Sequence, residues 1–266
     1  MTAVELVERA LEEDVGSGDL TTELCVPAAR LAHGSFRVRE SIVAAGVELL
    51  PLIYEDVDMK VASGASLQPG DQIATVRGSA RRLLTRERVA LNFLQHLSGV
   101  ATLARKFVDR VAGTGCRILD TRKTIPGLRE LEKSAVHAGG GTNHRIGLYD
   151  AILIKNNHIT ASGGVRAALA ATRNANVPVE IEVRTRAELD EALACGAKML
   201  LLDNLTPDEA KQWVRFIDHR ATVEISGGVT LETVRAYAES GADFISVGAL
   251  THSARAVDIH FFLELD

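Results

Sequence analysis

Positively charged side chains are concentrated in one part of the chain. Arg122 and Lys123 are adjacent, and Arg145 and Lys155 follow within the next thirty-two positions. A guanidinium can bind a carboxylate or phosphate through two parallel hydrogen bonds, and a Lys ammonium adds a compact positive charge. Gly-rich turns and apolar stretches surround these residues, so ordinary solvated surface charges explain them less well. The pattern predicts a pocket for a small anionic ligand.

The charge distribution supports the same prediction. The chain has 266 residues and a net charge of −5, yet positions 117–155 contain seven Lys or Arg against four Asp or Glu. A general nucleic-acid binder would usually show a basic face, so we expect no nucleic-acid partner. A local basic region in an acidic chain instead favours a small anion.

Two carboxylates, Glu182 and Asp203, lie in or just after neighbouring predicted strands. Acids that face a cationic pocket commonly hold Mg²⁺ or the hydroxyl groups of a ribose. Acids at strand ends also cap the helices that follow, so this signal is weak by itself.

Two segments with small residues close the last two predicted strands, Ser226-Gly227-Gly228 and Val247-Gly248-Ala249. Without bulky side chains, backbone N–H groups can approach a phosphate at a helix N-terminus. Gly after a strand is also ordinary turn chemistry, so both interpretations stay open here.

The second half of the chain must position these residues, and it alternates between strands and helices. We predict strands at 117–120, 151–154, 179–183, 199–202, 223–225 and 244–247. Amphipathic helices are predicted at 186–194, 207–217 and 231–240. Near-continuous apolar strands between helices indicate a parallel sheet covered by helices, and the strand spacing favours a β/α barrel. A doubly wound open sheet is the alternative, but no Gly-x-Gly-x-x-Gly follows a first strand.

The first half is predicted to be mixed α+β. Thr2-x-x-Glu5 resembles a helix capping box, strands are predicted at 35–39 and 72–77, and a helix covers 79–97. We expect a second helix after Ser98-Gly99 and another after Gly46, with Pro51 interrupting the pattern of the latter. The predicted domains are 1–112 and 113–250, and the tail 251–266 returns to the first as a strand.

The composition also suggests a compartment. No apolar run approaches the length that spans a bilayer, and residues 1–5 do not resemble a signal peptide. Three widely spaced Cys fit reduced thiols. We therefore expect a cytoplasmic protein without a membrane partner.

Three long motifs then resemble one family, the quinolinate phosphoribosyltransferases, which are type II phosphoribosyltransferases. They are Asp120-Thr121-Arg122-Lys123-Thr124-x-Pro126-Gly127, Gly139-Gly140-Gly141-x-Asn143-His144-Arg145 and Leu153-Ile154-Lys155-x-Asn157-His158-Ile159. Further matches at 13–22 and 87–102 extend the resemblance over nearly the whole chain. It implies an incomplete, open parallel β/α barrel with an N-terminal α+β sandwich domain. The family barrel has seven strands, so we expect one more than the six predicted.

The resemblance implies a reaction as well. Quinolinate and phosphoribosyl pyrophosphate would give nicotinate mononucleotide, pyrophosphate and CO₂, a step of de novo NAD synthesis. Arg122, Arg145, Lys155 and His144 would hold the two carboxylates of quinolinate, and Lys123 the ring or the pyrophosphate.

The remaining expected roles concern the ribose and its phosphates. Glu182 and Asp203 would bind the ribose and Mg²⁺, and Lys155 would act with them as a catalytic residue. Ser226, Gly227, Gly228, Val247, Gly248 and Ala249 would hold the 5′-phosphate.

The resemblance further implies a homodimer with shared active sites, or a higher homo-oligomer, in which Arg88 reaches the partner's site. Two alternatives are a related enzyme of the molybdenum-transport-associated branch and a non-catalytic sensor of a phosphorylated nucleotide. A sensor would be expected to lack Glu182, Asp203 or Lys155, and all three are present.

Overall fold

A computed structural model describes residues 2–265 of the chain. Its contacts divide the chain into two compact units. The first contains the residues up to Arg105, the segment Thr124–Gly140 and the residues from Leu250 onward. The second contains Lys106–Lys123 and Gly141–Ala249.

The first unit is built around an antiparallel sheet. Its strands are β1 (Leu31–Val38), β2 (Ile42–Val43), β3 (Asp56–Met59), β4 (Ser66–Leu67), β5 (Gln72–Ser79) and, at the end of the chain, β12 (Ile259–Leu265). Four of them form a sheet in the order β12-β1-β5-β3, and β2 pairs with β4. The tail therefore pairs antiparallel with β1, as predicted, from Val38↔Ile259 to Ala32↔Leu265.

The unit also contains five helices. They are α1 (Ala3–Val15), α2 (Leu20–Cys25), α3 (Leu50–Ile53), the greater part of α4 (Ala80–Val111) and α5 (Arg129–Ala138). The predicted capping box is present, because the Thr2 side chain accepts the Glu5 N–H and Glu5 accepts the Thr2 N–H. Pro51 lies in the first turn of α3, where its missing N–H costs nothing.

Our prediction of two helices that meet at Ser98-Gly99 is wrong, since α4 runs unbroken through both residues. Ser98 is fully buried, and its hydroxyl bonds the backbone of Ala45. A Cβ on Gly99 would lie 2.1 Å from the carbonyl oxygen of Arg255. The glycine thus permits close packing and does not end the helix.

The second unit contains a parallel sheet of six strands. In chain order these are β6 (Arg117–Leu119), β7 (Ile152–Ile154), β8 (Val179–Val183), β9 (Met199–Asp203), β10 (Thr222–Ser226) and β11 (Phe244–Ser246). The spatial order is β6-β11-β10-β9-β8-β7, and β6 does not pair with β7. The sheet is an incomplete, open β/α barrel, which confirms the predicted fold class.

The expected seventh strand is absent from the described residues. Outside the six strands, Thr142 makes a single parallel bridge with Leu119 of β6. Gly139, Gly140 and Gly141 precede this bridge. Glycine is a poor strand former, which fits a single bridge and not a strand at this point.

Helices cover the outer face of the parallel sheet. They are α6 (Asn156–Ser162), α7 (Val165–Ala171), α8 (Arg186–Ala194), α9 (Pro207–Ile217) and α10 (Val234–Ala238). The short α11 (Ala249–His252) begins at the last residue of this unit. Both α8 and α9 have the predicted bounds, and each begins with a capping box, on Thr185 and Thr206. Among the described residues, no helix is long and apolar enough to cross a membrane.

Candidate active site

A cavity of about 420 Å³ opens at the carboxyl ends of the parallel strands in the second unit. Its lining includes ten of the predicted site residues: Arg122, Lys123, His144, Arg145, Lys155, Glu182, Asp203, Ser226, Gly227 and Gly228. Barrel enzymes build their sites at this end of the sheet. The structure therefore brings together the cations and carboxylates that the sequence separates by about a hundred residues.

Strand alternation explains why acids point into this cavity. In β8, Ile181 and Val183 are fully buried on the helix-covered face, so Glu180 and Glu182 share the opposite face. The same alternation in β10 places Glu224 on the inner face with Ser226. Cross-strand register then sets Leu201 of β9 opposite both Glu182 and Glu224.

Buried Asp120 organises the loop that carries His144 and Arg145. Its Oδ2 accepts a hydrogen bond from the Asn143 amide at 2.6 Å, and its Oδ1 accepts the His144 backbone N–H at 2.8 Å. Asp120 is fully inaccessible to solvent, so these charge-assisted bonds form in a low-dielectric setting. The carboxylate thus fixes the segment that follows the Gly-rich turn.

Two guanidiniums are held near each other at the cavity wall. Burial lowers the pKa of Arg145, and the neighbouring charge of Arg122 lowers it further. One Nη of Arg145 donates to the carbonyl of Ala151 at 3.1 Å, which fixes its direction. Like charges held together are stabilised by an anion between them, so this part of the cavity suits a carboxylate or phosphate.

Lys155 lies directly after β7 and keeps an exposed side chain. Its backbone N–H donates to Nδ1 of His158 at 2.9 Å, which fixes the turn into α6. The Lys ammonium is therefore presented to the cavity from a rigid strand end.

Glu182 and Asp203 form a pair of carboxylates in the lining of the same cavity. Burial raises the pKa of Glu182, the charge of Asp203 raises it further, and the Lys155 ammonium opposes both effects. A cation near the two acids would relieve their repulsion. Mg²⁺ is commonly bound through one or two carboxylates together with substrate phosphates, and this pair fits that pattern.

The imidazole of His144 faces two buried carboxylates. Its Nε2 lies 3.2 Å from Glu180 Oε2 and 3.3 Å from Glu224 Oε2. Burial alone would lower the pKa of His144, but these carboxylates outweigh it and raise that pKa to about 9. Its Nδ1 accepts the Arg145 backbone N–H at 2.7 Å. Both ring nitrogens are thus occupied within the protein.

Gly227 and Gly228 close the cavity after β10, in backbone conformations that favour glycine, with φ of +101° and +60°. A Cβ on Gly227 would lie 2.3 Å from the Asn204 side-chain oxygen and 2.9 Å from the Asn204 backbone nitrogen. A side chain is therefore excluded at this turn for two independent reasons.

Four predicted site residues lie outside the cavity lining. Val247 is buried, Gly248 follows it, and Ala249 begins α11, while Ser246 supplies the lining at the end of β11. Their expected role rests on backbone N–H groups and stays a prediction. Arg88 is an exposed residue of α4 in the first unit, and its role in a partner's site also stays a prediction.

Several lining residues were missed in the sequence. They are Thr121, Leu153, Leu201, Asn204, Glu224 and Ser246. For Glu224 a signal existed, because it alternates with apolar Val223 and Ile225 and precedes Ser226 by two positions. An acid at such a position shares the face of the predicted site.

A cationic cavity with paired carboxylates at the carboxyl ends of an open β/α barrel defines a barrel protein built to hold a small, multiply charged anion. Comparison with known proteins identifies the family. The model of the quinolinate phosphoribosyl transferase C-terminal domain matches residues 100–262, and that of the N-terminal domain matches 19–98. The chain belongs to the quinolinate phosphoribosyltransferase family.

Individual relatives agree with this assignment. The chain is 45% identical to the nicotinate-nucleotide pyrophosphorylase [carboxylating] of Mycobacterium leprae, over 97% of this chain and 95% of that protein. It is 39% identical to the probable enzyme of the same name from Bacillus subtilis, over 98% and 93%. A solved nicotinate-nucleotide pyrophosphorylase from Ehrlichia chaffeensis superimposes with a TM-score of 0.95 at 34% identity, over 99% of each chain.

Proposed function

We propose that this protein transfers the phosphoribosyl group of phosphoribosyl pyrophosphate to quinolinate, with decarboxylation, in NAD synthesis. The products are nicotinate mononucleotide, pyrophosphate and CO₂. The observation that carries the proposal is the convergence of Arg122, Lys123, Arg145 and Lys155 in one cavity. Quinolinate is a dianion with adjacent carboxylates, and a pyridine with one carboxylate or an amide would need fewer cations.

The cations bind and orient the pyridine ring. Arg122 and Arg145 offer forked donors to the carboxylates, and Lys155 adds a charge from the end of β7. Lys123 lies beside Arg122 and is directed to the ring or to the pyrophosphate. Held in this way, the ring nitrogen is aligned with C1 of the ribose, and orientation of this kind contributes substantially to rate.

Glu182 and Asp203 serve the sugar. They would bind the ribose hydroxyls and hold Mg²⁺ with phosphoribosyl pyrophosphate, and their charge stabilises positive charge at C1 as pyrophosphate leaves. When bound, Mg²⁺ would neutralise negative charge on the departing pyrophosphate. Ser226, Gly227 and Gly228, with the backbone of 247–249, would hold the 5′-phosphate.

Ribosylation makes the ring nitrogen cationic, and this charge drives the second step. The bond from C2 to its carboxylate breaks, CO₂ leaves, and the electron pair stays on C2 beside the positive nitrogen. A proton then forms the new C2–H bond.

The assembly we propose is a homodimer whose sites are shared, with Arg88 of each subunit entering the partner's site. A higher homo-oligomer built from such dimers is compatible with the same contact. The dimer proposal rests on the family pattern around Arg88 and on its exposed position on α4.

The test is release of CO₂ by the purified protein with quinolinate, phosphoribosyl pyrophosphate and Mg²⁺. We expect CO₂, pyrophosphate and nicotinate mononucleotide in equal amounts. Nicotinate in place of quinolinate is the matched control and should release no CO₂. Absence of quinolinate-dependent CO₂ and pyrophosphate release would overturn the proposal.

A further inference from the structure

Asn204 lies directly after Asp203 at the end of β9, and both residues line the active-site cavity. Consecutive side chains of an extended strand point to opposite faces, so two neighbours cannot both face the cavity while the strand continues. The backbone of Asn204 is left-handed, with φ of 56°, and this conformation turns the chain. The turn therefore brings the Asn204 amide to the side of the Asp203 carboxylate.

The residue type at position 204 meets two requirements at once. A left-handed backbone suits glycine best, and among other residues asparagine and aspartate tolerate it most easily. Of these three, only asparagine offers a side-chain donor. Its Nδ2 donates to Asp203 Oδ2 at 2.8 Å. Glycine would satisfy the backbone alone, so the amide indicates a role beyond the turn.

The other contacts of Asn204 join the ends of β9 and β10. Its backbone N–H donates to the Ser226 carbonyl at 2.9 Å, one step beyond the pair Asp203↔Ser226 that ends the ladder. Its side-chain Oδ1 packs against Gly227, where an added Cβ would lie 2.3 Å away. Asn204 thus contacts both the carboxylate that we assign to the ribose and the turn that we assign to the 5′-phosphate.

We propose that Asn204 is a positioning residue for phosphoribosyl transfer, which orients the Asp203 carboxylate relative to the turn at Gly227. This inference rests on the proposed function. The hydroxyls and the 5′-phosphate of one ribose lie at a nearly fixed separation, so the groups that bind them must keep a matching separation. A contact that joins the two subsites maintains it.

Asn204 acts through Asp203 and does not need to contact the sugar. Its amide holds Asp203 Oδ2, while Oδ1 accepts no hydrogen bond from the described residues and is available to the ribose. A carboxylate already held in one direction needs less reorganisation when positive charge develops at C1 of the ribose.

The rest of this loop is held without the Asn204 side chain. The Tyr237 hydroxyl donates to the Leu205 carbonyl at 2.8 Å, and Thr206 begins α9 with its capping box. The bond between Asn204 and Asp203 is exposed to solvent, so it adds little to the stability of the fold. Removal of the amide should therefore change the site and leave the path of the chain.

Asn204→Gly tests the amide, because glycine accepts the left-handed backbone and removes the donor. We expect kcat/KM for phosphoribosyl pyrophosphate to fall roughly 10–100-fold, as is typical when the hydrogen-bond partner of a functional carboxylate is lost. Calorimetry without Mg²⁺ should show weaker binding of phosphoribosyl pyrophosphate and unchanged binding of quinolinate. Wild-type kinetics in Asn204→Gly, or an equal loss of affinity for both substrates, would overturn the positioning role.

A double-mutant cycle with Asp203→Asn separates positioning from direct binding. If Asn204 acts through Asp203, Asn204→Gly should add little to the loss that Asp203→Asn already causes. If Asn204 bound the sugar itself, the two losses would multiply, and the positioning role would be wrong.

Asn204→Asp keeps the proposal testable if Asn204→Gly does not fold. Aspartate has nearly the same shape and tolerates the left-handed backbone, but it places a second acceptor against Asp203 Oδ2. We expect it to lose at least as much activity with phosphoribosyl pyrophosphate as Asn204→Gly. Wild-type activity in this variant would contradict the proposal.

Asp218→Gly is the matched control. Asp218 is another non-glycine residue with a left-handed backbone, φ 49°, and it is exposed at the C-terminus of α9. The same change of backbone there should leave the kinetics unchanged, and an equal loss in both variants would overturn the role of the Asn204 amide. If wild type itself releases no pyrophosphate with quinolinate, the proposed function fails, whereas failure of the Asn204 variants alone leaves it standing.

Discussion

The Asp120 carboxylate holds the backbone of His144, with its Oδ1 2.8 Å from the His144 nitrogen. Its other oxygen accepts the Asn143 amide, so one buried acid fixes two consecutive residues of the loop. Through this loop Asp120 positions the Arg145 guanidinium without lining the cavity itself. Asp120 is therefore a positioning residue.

Asp120→Asn should loosen this loop. An amide puts a donor against either the Asn143 amide or the His144 N–H, and an unsatisfied buried donor costs about 1–3 kcal/mol. We expect a lower free energy of unfolding in urea and weaker quinolinate binding by calorimetry. Adding Asn143→Asp reverses donor and acceptor, so the double variant should recover most of both losses. A double variant no better than Asp120→Asn would contradict the positioning role.

The sequence predicted the helices of the barrel and most of the charged cavity lining, but not contacts between residues that are distant in sequence. The bounds of α8 and α9 were predicted from their amphipathic pattern, and the N-terminus of each helix is fixed by a local capping box, on Thr185 and Thr206, between residues three positions apart. The continuity of α4 at Gly99 depends on the carbonyl of Arg255, which is distant in sequence, so local pattern could not give it. The same holds for Glu180 and His144, whose contact joins a strand to a loop.

The cations of the active site were predictable, because residue type and position along the sequence are enough to place them at one edge of the sheet. Arg122, Arg145 and Lys155 follow strands or Gly-rich turns, and parallel strands carry their carboxyl ends to one edge. The presence of Asn204 in the cavity lining was not predictable from the sequence. It depends on the left-handed backbone of Asn204, with φ of 56°, and on the turn at Gly227.

Lys155→Ala should remove a charge that faces the substrate while leaving the fold intact, because its side chain is exposed at a strand end. We expect kcat/KM for quinolinate to fall roughly 10²–10³-fold, with an unchanged melting temperature. Lys198→Ala is the matched control, since Lys198 is an exposed Lys just before β9, at the opposite end of the strands. Near-wild-type activity in Lys155→Ala would remove this Lys from the site.

Asp203→Asn should affect phosphoribosyl pyrophosphate more than quinolinate. The amide keeps the shape of the side chain next to Asn204 but loses the charge that we assign to Mg²⁺ and ribose. We expect kcat/KM for phosphoribosyl pyrophosphate with Mg²⁺ to fall on the order of 10²-fold. Calorimetry should give a quinolinate affinity close to that of wild type. The control variant is Asp190→Asn, since Asp190 is an exposed acid on a helix. A large loss of quinolinate affinity would contradict the assignment of Asp203.

The stability of the protein should fall as the pH rises from about 6.5 to about 9. His144 has a folded-state pKa of about 9 against an ordinary 6.5, so its protonated form stabilises the fold below pH 6.5 and this contribution is lost through pH 9. The raised pKa of Glu180 acts in the same direction, because ionising the buried acid costs free energy. Urea unfolding across this range should show a steeper decline for wild type than for His144→Gln. If the free energies of unfolding of the two proteins change in parallel with pH, the pKa of His144 is not raised in the folded state.

Arg88 gives the sharpest test of the shared site. An exposed Arg on α4 is by itself an ordinary surface residue. In a two-fold dimer with mutually donated sites, however, neither subunit is complete alone. Arg88→Ala and Lys155→Ala should each be nearly inactive as pure proteins.

Mixing the two variants in equal amounts under conditions of subunit exchange should restore activity. A heterodimer then has one site with both substitutions and one site with neither. Random exchange makes about half of the dimers heterodimers, so roughly a quarter of wild-type activity should return. If Arg88 serves the site of its own subunit, every site keeps one substitution and no activity returns. Mass-labelled subunits must show that exchange took place, and proven exchange without recovery would overturn the shared site while the reaction assignment stands.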